Sequence, residues 1–132
     1  MADARTAQTS QHLSIKDQKA QLREGRIVGL ECTACGERHF APVVRCSQGH
    51  DALHRKEFAT EGKVVSYTIQ VVAPEAFLNE VPFAWVVVEL DGGGPRVSGW
   101  IPFVAKPQDL ATGQRVRFTA SYKPGMVFEK IA

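Results

Sequence analysis

No apolar run in this chain is long enough to cross a membrane. The longest, Val81 to Val88, is about eight residues, where a spanning helix needs roughly 20. There is no apolar signal segment at the start and no lipidation box, so cytoplasm is the expected location. An excess of one charge is also missing. Sixteen Lys and Arg face 14 Asp and Glu, a net charge of +2, which is too little for a surface that coats nucleic acid. Catalytic signatures are scarce. No Gly-x-Ser-x-Gly elbow occurs. Gly92-Gly93-Gly94 lacks the Lys-Ser/Thr of a phosphate-binding loop and reads as a turn between strands. Cysteine is sparse as well, with only 3 in 132 residues. An odd count without a secretion signal argues against a disulfide framework.

What is present is concentrated. All three cysteines lie in one short window, Cys32-Thr-Ala-Cys35 and then Cys46-Ser-Gln-Gly-His50. A Cys-x2-Cys pair on a tight turn aims two sulfurs at one point, and a second pair can close a tetrahedron. Structural zinc uses Cys and His at such spacings. The bland alternative is three free thiols, since unpaired Cys is often a small buried hydrophobe. A regular ribbon would repeat Cys-x2-Cys, which would put its second partner on Gly49. His50, one residue on, is the first choice for fourth ligand, His54 the second, and His39, inside the loop, the least suited. Three thiolates and an imidazole also disfavour a four-thiolate iron site. Four protein ligands leave no open position, so the metal reads as structural; an open-site, hydrolytic zinc is the minor variant.

Hydrophobic content of 44% and charged content of 23% are ordinary for a globular chain. Met1 to Gln11 is polar and reads as a flexible arm. Ser14-Ile15-Lys16-Asp17 looks like a capped helix start, the run to Glu24 is made of helix formers, and Gly25 is a stop. The helix has a thin apolar face of Ile15, Leu22 and Leu13, fitting either a frayed surface helix or one that docks on a partner. Arg26–Glu31 and Arg38–Val44 read as the strands of the knuckle, with Asp51–Lys56 a polar connection. From Lys63 the period becomes two, with Val65, Tyr67, Ile69 and Val71 on one face. Phe83–Leu90 and Arg96–Ile101 flank the turn Asp91–Pro95. Pro102–Leu110 connects to Gln114–Ala120, with Val116 and Phe118 inward. Tyr122–Gly125 turns the chain into Met126–Ile131. Five short strands of this kind are expected to curl into an OB-like barrel. Of the aromatics, Tyr67, Phe83, Trp85, Trp100, Phe103 and Phe118 are expected mostly in the barrel core, with one or two at its mouth. The organisation is then an arm and helix over 1–25, a rubredoxin-like zinc ribbon over 26–58 and the barrel over 59–132, a mainly β fold.

The ordered series Cys32-Thr-Ala-Cys35-Gly36, Phe40-Ala-Pro42, Arg45-Cys46, Gly62-Lys-Val-Val-Ser66-Tyr-Thr68, Pro82-Phe, Val87-Val-Glu-Leu-Asp91-Gly92 and Gly113-Gln-Arg-Val116 resembles the zinc-ribbon/OB-fold acyl-CoA-associated family, long catalogued as a domain of unknown function. The likeness runs from about Leu22 to the end of the chain. It implies a small non-catalytic subunit that docks by ribbon and helix on a thiolase-type enzyme, thiolases, acetyltransferases and related lyases included, and whose barrel helps to handle CoA thioesters. Subunits of this kind occur in thiolases of aromatic degradation, the benzoylsuccinyl-CoA type among them. The departure is Gly49, where the family usually has its fourth Cys. CoA phosphates would want basic groups at the ribbon–barrel seam: Arg45 first, then Arg38, Arg96 and Lys106, with Arg55 and Lys56 further candidates. The competing class is a free-standing nucleic-acid-binding module, since ribbons and OB barrels both bind single strands.

Overall fold

A computed structural model of the chain describes residues 13–72, 75–122 and 125–131. The expected N-terminal arm lies outside them, as does part of the turn before the last strand.

The first element is helix α1, Ile15–Arg23. Ser14 caps it: its hydroxyl accepts from the Asp17 N–H at 3.0 Å. Gly25 ends it, with a φ of +86° that a side chain would resist. The face it buries is not the one expected. Leu13 and Leu22 are inside, but Ile15 is exposed, and Gln18 takes the inner position. The Gln18 amide donates to the carbonyls of Val28 at 2.9 Å and Phe40 at 2.5 Å. A polar residue therefore joins the helix to backbone that would otherwise lack a partner. Arg55 of the ribbon reaches Asp17 at 3.2 Å.

Three strands make the ribbon sheet in the order β2-β1-β3: β1 Ile27–Cys32, β2 Arg38–His39 and β3 Leu53–Phe58. Here the expectation fails twice. The return strand is two residues long and stops before Pro42, and the segment read as a polar connection is the main partner of β1, in register from Ile27↔Phe58 to Cys32↔Leu53. Only Leu53 and Phe58, at its ends, are buried. The charged residues between them suit an edge strand, where they discourage further pairing, and so they hide the strand from a search for alternation.

Five strands close the barrel in the order β4-β5-β6-β8-β7, as expected. They are β4 Glu61–Gln70, β5 Phe83–Leu90, β6 Arg96–Pro102, β7 Arg115–Tyr122 and β8 Met126–Lys130. All neighbours are antiparallel except β6 and β8, which touch in parallel at Trp100↔Val127. A bulge between Val64 and Ser66 resets the phase of β4. Gly62 and Val64 face inward before it, and Tyr67 and Ile69 pack on the core after it. The single face assigned to Val65, Tyr67, Ile69 and Val71 is thus split, and Val71 lies outside on the surface. Closure depends on Gly62, where β4 meets β7: a Cβ there would sit 2.2 Å from the Glu89 carbonyl oxygen of β5.

Ribbon and barrel share one core. Leu22 of the helix, Ile27 of β1 and Phe58 of β3 pack with Val64, Val86, Val88, Val116 and Phe128. Outside the barrel, opposite charges alternate across strands: Arg117 with Glu129 at 2.7 Å, and Arg115 with Asp91 and Glu61. The Arg115 guanidinium holds the Asp91 carboxyl below its ordinary range.

Two outcomes are expected. Leu22→Ala should lower stability by about 2–5 kcal/mol in urea denaturation, and Ile15→Ala by less than about 0.5 kcal/mol. Because the folded state lowers the pKa of Asp91, that pair stabilises above roughly pH 4 and its contribution is lost as the pH falls further. Stability measured against pH should therefore fall less steeply in acid for Asp91→Asn than for the unaltered chain.

Candidate metal centre

The Cys3His group assembles from both ends of the ribbon. Cys32 is the last residue of β1, Cys35 follows on the turn, and Cys46 and His50 lie on the loop before β3. Each pair sits on a tight turn closed by backbone. The Gly36 N–H donates to the Cys32 carbonyl at 2.7 Å, and the Gly49 N–H to the Cys46 carbonyl at 2.9 Å. Both glycines have positive φ, +81° and +86°. In the second turn the left-handed residue comes one position earlier than in the first. The chain therefore reverses at Gly49, and the next side chain, His50, returns toward the sulfurs.

The donor atoms all lie within 4.8 Å of one another. Cys35 Sγ is 3.7 Å from Cys46 Sγ, and His50 Nδ1 is 3.4 Å from Cys46 Sγ and 3.8 Å from Cys32 Sγ. Bonds of about 2.3 Å to sulfur and about 2.0–2.1 Å to nitrogen give a regular zinc tetrahedron edges of about 3.8 Å (S···S) and about 3.6 Å (S···N). The residues fit the ion. Burial pushes the Cys32 thiol up, but the N–H groups of Cys35 and Ala34 and the neighbouring thiols bring it down to about 7. The Glu37 N–H pulls the Cys35 thiol down, yet burial and the two other thiols carry it up to about 11. Cys32 and Cys35 thus shift in opposite directions, and a dication would favour the thiolate at both.

Around the donors, Glu37 joins the two turns. Its carboxylate accepts from the Ser47 N–H at 2.7 Å and from the Ser47 hydroxyl, which holds it below its ordinary range. His39, the least favoured candidate ligand, has Nε2 3.3 Å from that same carboxylate, outside the cluster. His54 is also outside it. It follows Leu53 on β3, and Leu53 packs with Cys32 and Cys46, so alternation along the strand turns His54 to the other face.

The four basic residues proposed for CoA do not form one patch. Arg38 and Arg96 share a groove of about 600 Å³ between the β2 region and the start of β6. Arg38 is engaged on both sides, donating to Glu31 at 2.7 Å and to the Gly92 carbonyl at 2.6 Å, so it ties ribbon to barrel. Arg45 stays by the metal turn, 3.4 Å from the Gly49 carbonyl. Lys106 is exposed on the β6–β7 connection, just before a 3-10 turn at Pro107–Asp109. Lys56 lines a smaller cleft with Arg38. Among the aromatics, Phe83, Trp100 and Phe118 are buried and Tyr67 packs on the core, while Trp85 and Phe103 are exposed. Sequence reasoning passed over Phe77, which lies in a 3-10 turn, Glu75–Phe77, of the β4–β5 loop and stacks on Phe83 at 4.9 Å. Its only signal was an aromatic in a loop.

A small sheet carrying three cysteines and a histidine, joined through a common core to a closed five-stranded barrel, defines a ribbon-and-OB-fold protein. The family described as ChsH2, C-terminal OB-fold domain, matches residues 55–121, and the chain belongs to it. Over 92 residues it is 29% identical to a DUF35 domain-containing scaffold protein of Methanocaldococcus jannaschii, a match that covers 68% of this chain and 64% of that protein, less than two thirds of its length. Among solved structures it is similar to a chain of the Ltp2-ChsH2(DUF35) aldolase, with a TM-score of 0.69 and 26% identity over 86% of this chain and 91% of that one. A DUF35-family protein of unknown function from Sulfolobus solfataricus has the same fold, with a TM-score of 0.62 and 14% identity over 88% and 84% of the two chains. Among the described residues, no helix is long and apolar enough to cross a membrane.

Replacing His50 by Ala should remove tight zinc binding, and cobalt loaded in its place should lose the strong visible bands of a tetrahedral site. His54→Ala should keep both. Equal zinc content in the two variants, measured by metal analysis after dialysis, would reject His50 as the ligand.

Proposed function

We propose that this chain is a non-catalytic, zinc-binding subunit of a thiolase-type acyl-CoA complex, cytoplasmic, which docks on the catalytic chain and helps to bind or channel CoA thioesters. The observation that carries the reading is membership of the ChsH2 OB-fold family, supported by likeness to a protein named for a scaffold role and to a chain of an aldolase complex. Aldolases belong to the lyases expected beside thiolases among the partners, and aromatic-compound degradation is the pathway the resemblance favours. Zinc, once bound by Cys32, Cys35, Cys46 and His50, would supply a cross-link between the two turns and no open position for substrate.

The catalytic chain would bring the nucleophile and the acid–base groups. This chain would offer the seam. Arg96 is the better placed of the two arginines in the groove, because Arg38 already holds Glu31 and Gly92, whereas Arg96 meets only Glu89, at 3.5 Å, among the described residues. Arg45 and Lys106 stand apart as separate anion-binding candidates. The nucleic-acid-binding reading has less behind it: Arg38, Arg115 and Arg117 are each paired with a carboxylate rather than aligned along a groove.

Co-purification of the tagged chain from its native host, with identification of the partner and metal analysis of the same sample, tests the reading. A thiolase- or aldolase-like partner with about one zinc per chain is expected. A chain that elutes with nucleic acid would overturn it. In the purified complex, Arg96→Ala should raise the KM for acyl-CoA by roughly three- to tenfold, as for loss of a charge-assisted hydrogen bond to phosphate, and leave kcat unchanged. An effect on Arg45→Ala alone would move the phosphate contact to the metal turn.

A further inference from the structure

Of the exposed large apolar side chains of the barrel, all but Phe103 lie on or beside one loop. Val71 and Val72 stand where β4 leaves the barrel, Leu78 follows the 3-10 turn, and Trp85 looks outward from β5. All four are open to solvent, Val72 to 83%. Next to them Gln70, Phe77, Phe83 and Trp85 line a cavity of about 260 Å³. Phe77 is stacked on Phe83 and meets Trp85 edge-on at 6.0 Å, so the cavity wall is braced by ring packing. Apolar patches with polar rims mark interaction sites, and aromatic anchors beside pockets are where binding energy concentrates. The β5–β6 face with the loop before β5 is also the side on which OB barrels take their ligands.

Charge selects the occupant. There is no Lys or Arg between Lys63 and Arg96. Of the acids in that interval, Glu89 is answered by Lys63 and Arg96, and Asp91 by Arg115. Glu75 and Glu80, both exposed on the loop that carries Leu78, have no ion pair among the described residues. On this loop a nucleic-acid strand would meet two carboxylates and no cation. A second copy docked by a two-fold axis would bring this acid-bearing loop against its own equivalent, with no cation on the loop to answer either. We propose that this end of the barrel docks a different protein, one whose surface presents Lys or Arg around an apolar projection, with the cationic heads on Glu75 and Glu80 and the apolar part on Leu78 and Trp85. This goes beyond the subunit reading above, which puts docking on the helix and ribbon, and it does not require the partner to act on CoA.

Photo-crosslinking of the full chain in its native host tests it. A photoreactive phenylalanine replaces Leu78 in one strain and the exposed Val44 of the ribbon in another. From Leu78 one discrete protein adduct is expected, and its yield should fall about tenfold or more when Glu75→Lys and Glu80→Lys are added, with the thermal midpoint of the chain unchanged. No adduct from Leu78, an adduct with nucleic acid or with a second copy, or a protein adduct indifferent to the charge reversal would each overturn the proposal. Capture of a CoA enzyme from Val44 alone would overturn it and leave the subunit reading standing. A charge-dependent Leu78 adduct with a protein unrelated to CoA chemistry, with no CoA enzyme captured from either position, would support the proposal and count against the subunit reading.

Discussion

Three sulfurs and one imidazole nitrogen converge on a single point, and the turns at that end of the ribbon have little else to hold them. Its own core is Leu13, Leu30 and Leu53 with the buried Cys32 and Cys46, and Val43 packed against them. A cluster that small cannot offset the conformational entropy of the turns it must order. A structural zinc supplies on the order of 10–16 kcal/mol to such units, and an ion held by these donors would add its binding energy to the stability of the turns. The backbone serves that end: glycines reverse the chain at both turns, and Glu37 holds the second turn to the first through Ser47.

The ribbon is not an appendage. Leu22, Ile27 and Phe58 enter the barrel core, Arg38 reaches across to the Gly92 carbonyl, and Gln18 ties the helix to two carbonyls of the ribbon. A force on the helix or ribbon is therefore felt where the barrel begins. That coupling suits a part that transmits the position of one protein to another. It also explains why the helix, weak by its own apolar face, is formed: its stability comes from tertiary packing rather than from propensity.

The surface divides by chemistry. Cations are paired with acids along the barrel wall, the seam keeps Arg96 beside an open groove, and the loop after β4 is apolar and acidic. An even total charge conceals this, because the sum over the chain says nothing about where each sign is placed.

Much of the fold was legible in order along the chain. The cap at Ser14, the stop at Gly25, the Asp91–Pro95 turn and the alternation of Val116 and Phe118 are local signals, each determined by the conformational preferences of a few neighbouring residues. The Cys3His cluster was legible for the same reason, since the spacing within each pair is a property of a tight turn. His50 was already the first choice by spacing, and β3 supplies the reason His54 stays outside the cluster: pairing with β1 turns it to the other face. What the sequence could not decide was anything set by a distant partner. The strand Leu53–Phe58 exists because β1 offers it an edge, the bulge at Val64 because the barrel must close past Gly62, and the burial of Gln18 because two carbonyls wait above it. The scattering of Arg38, Arg45, Arg96 and Lys106 is of the same kind. Such outcomes belong to contacts between segments far apart in the chain, and only the folded structure brings those segments together.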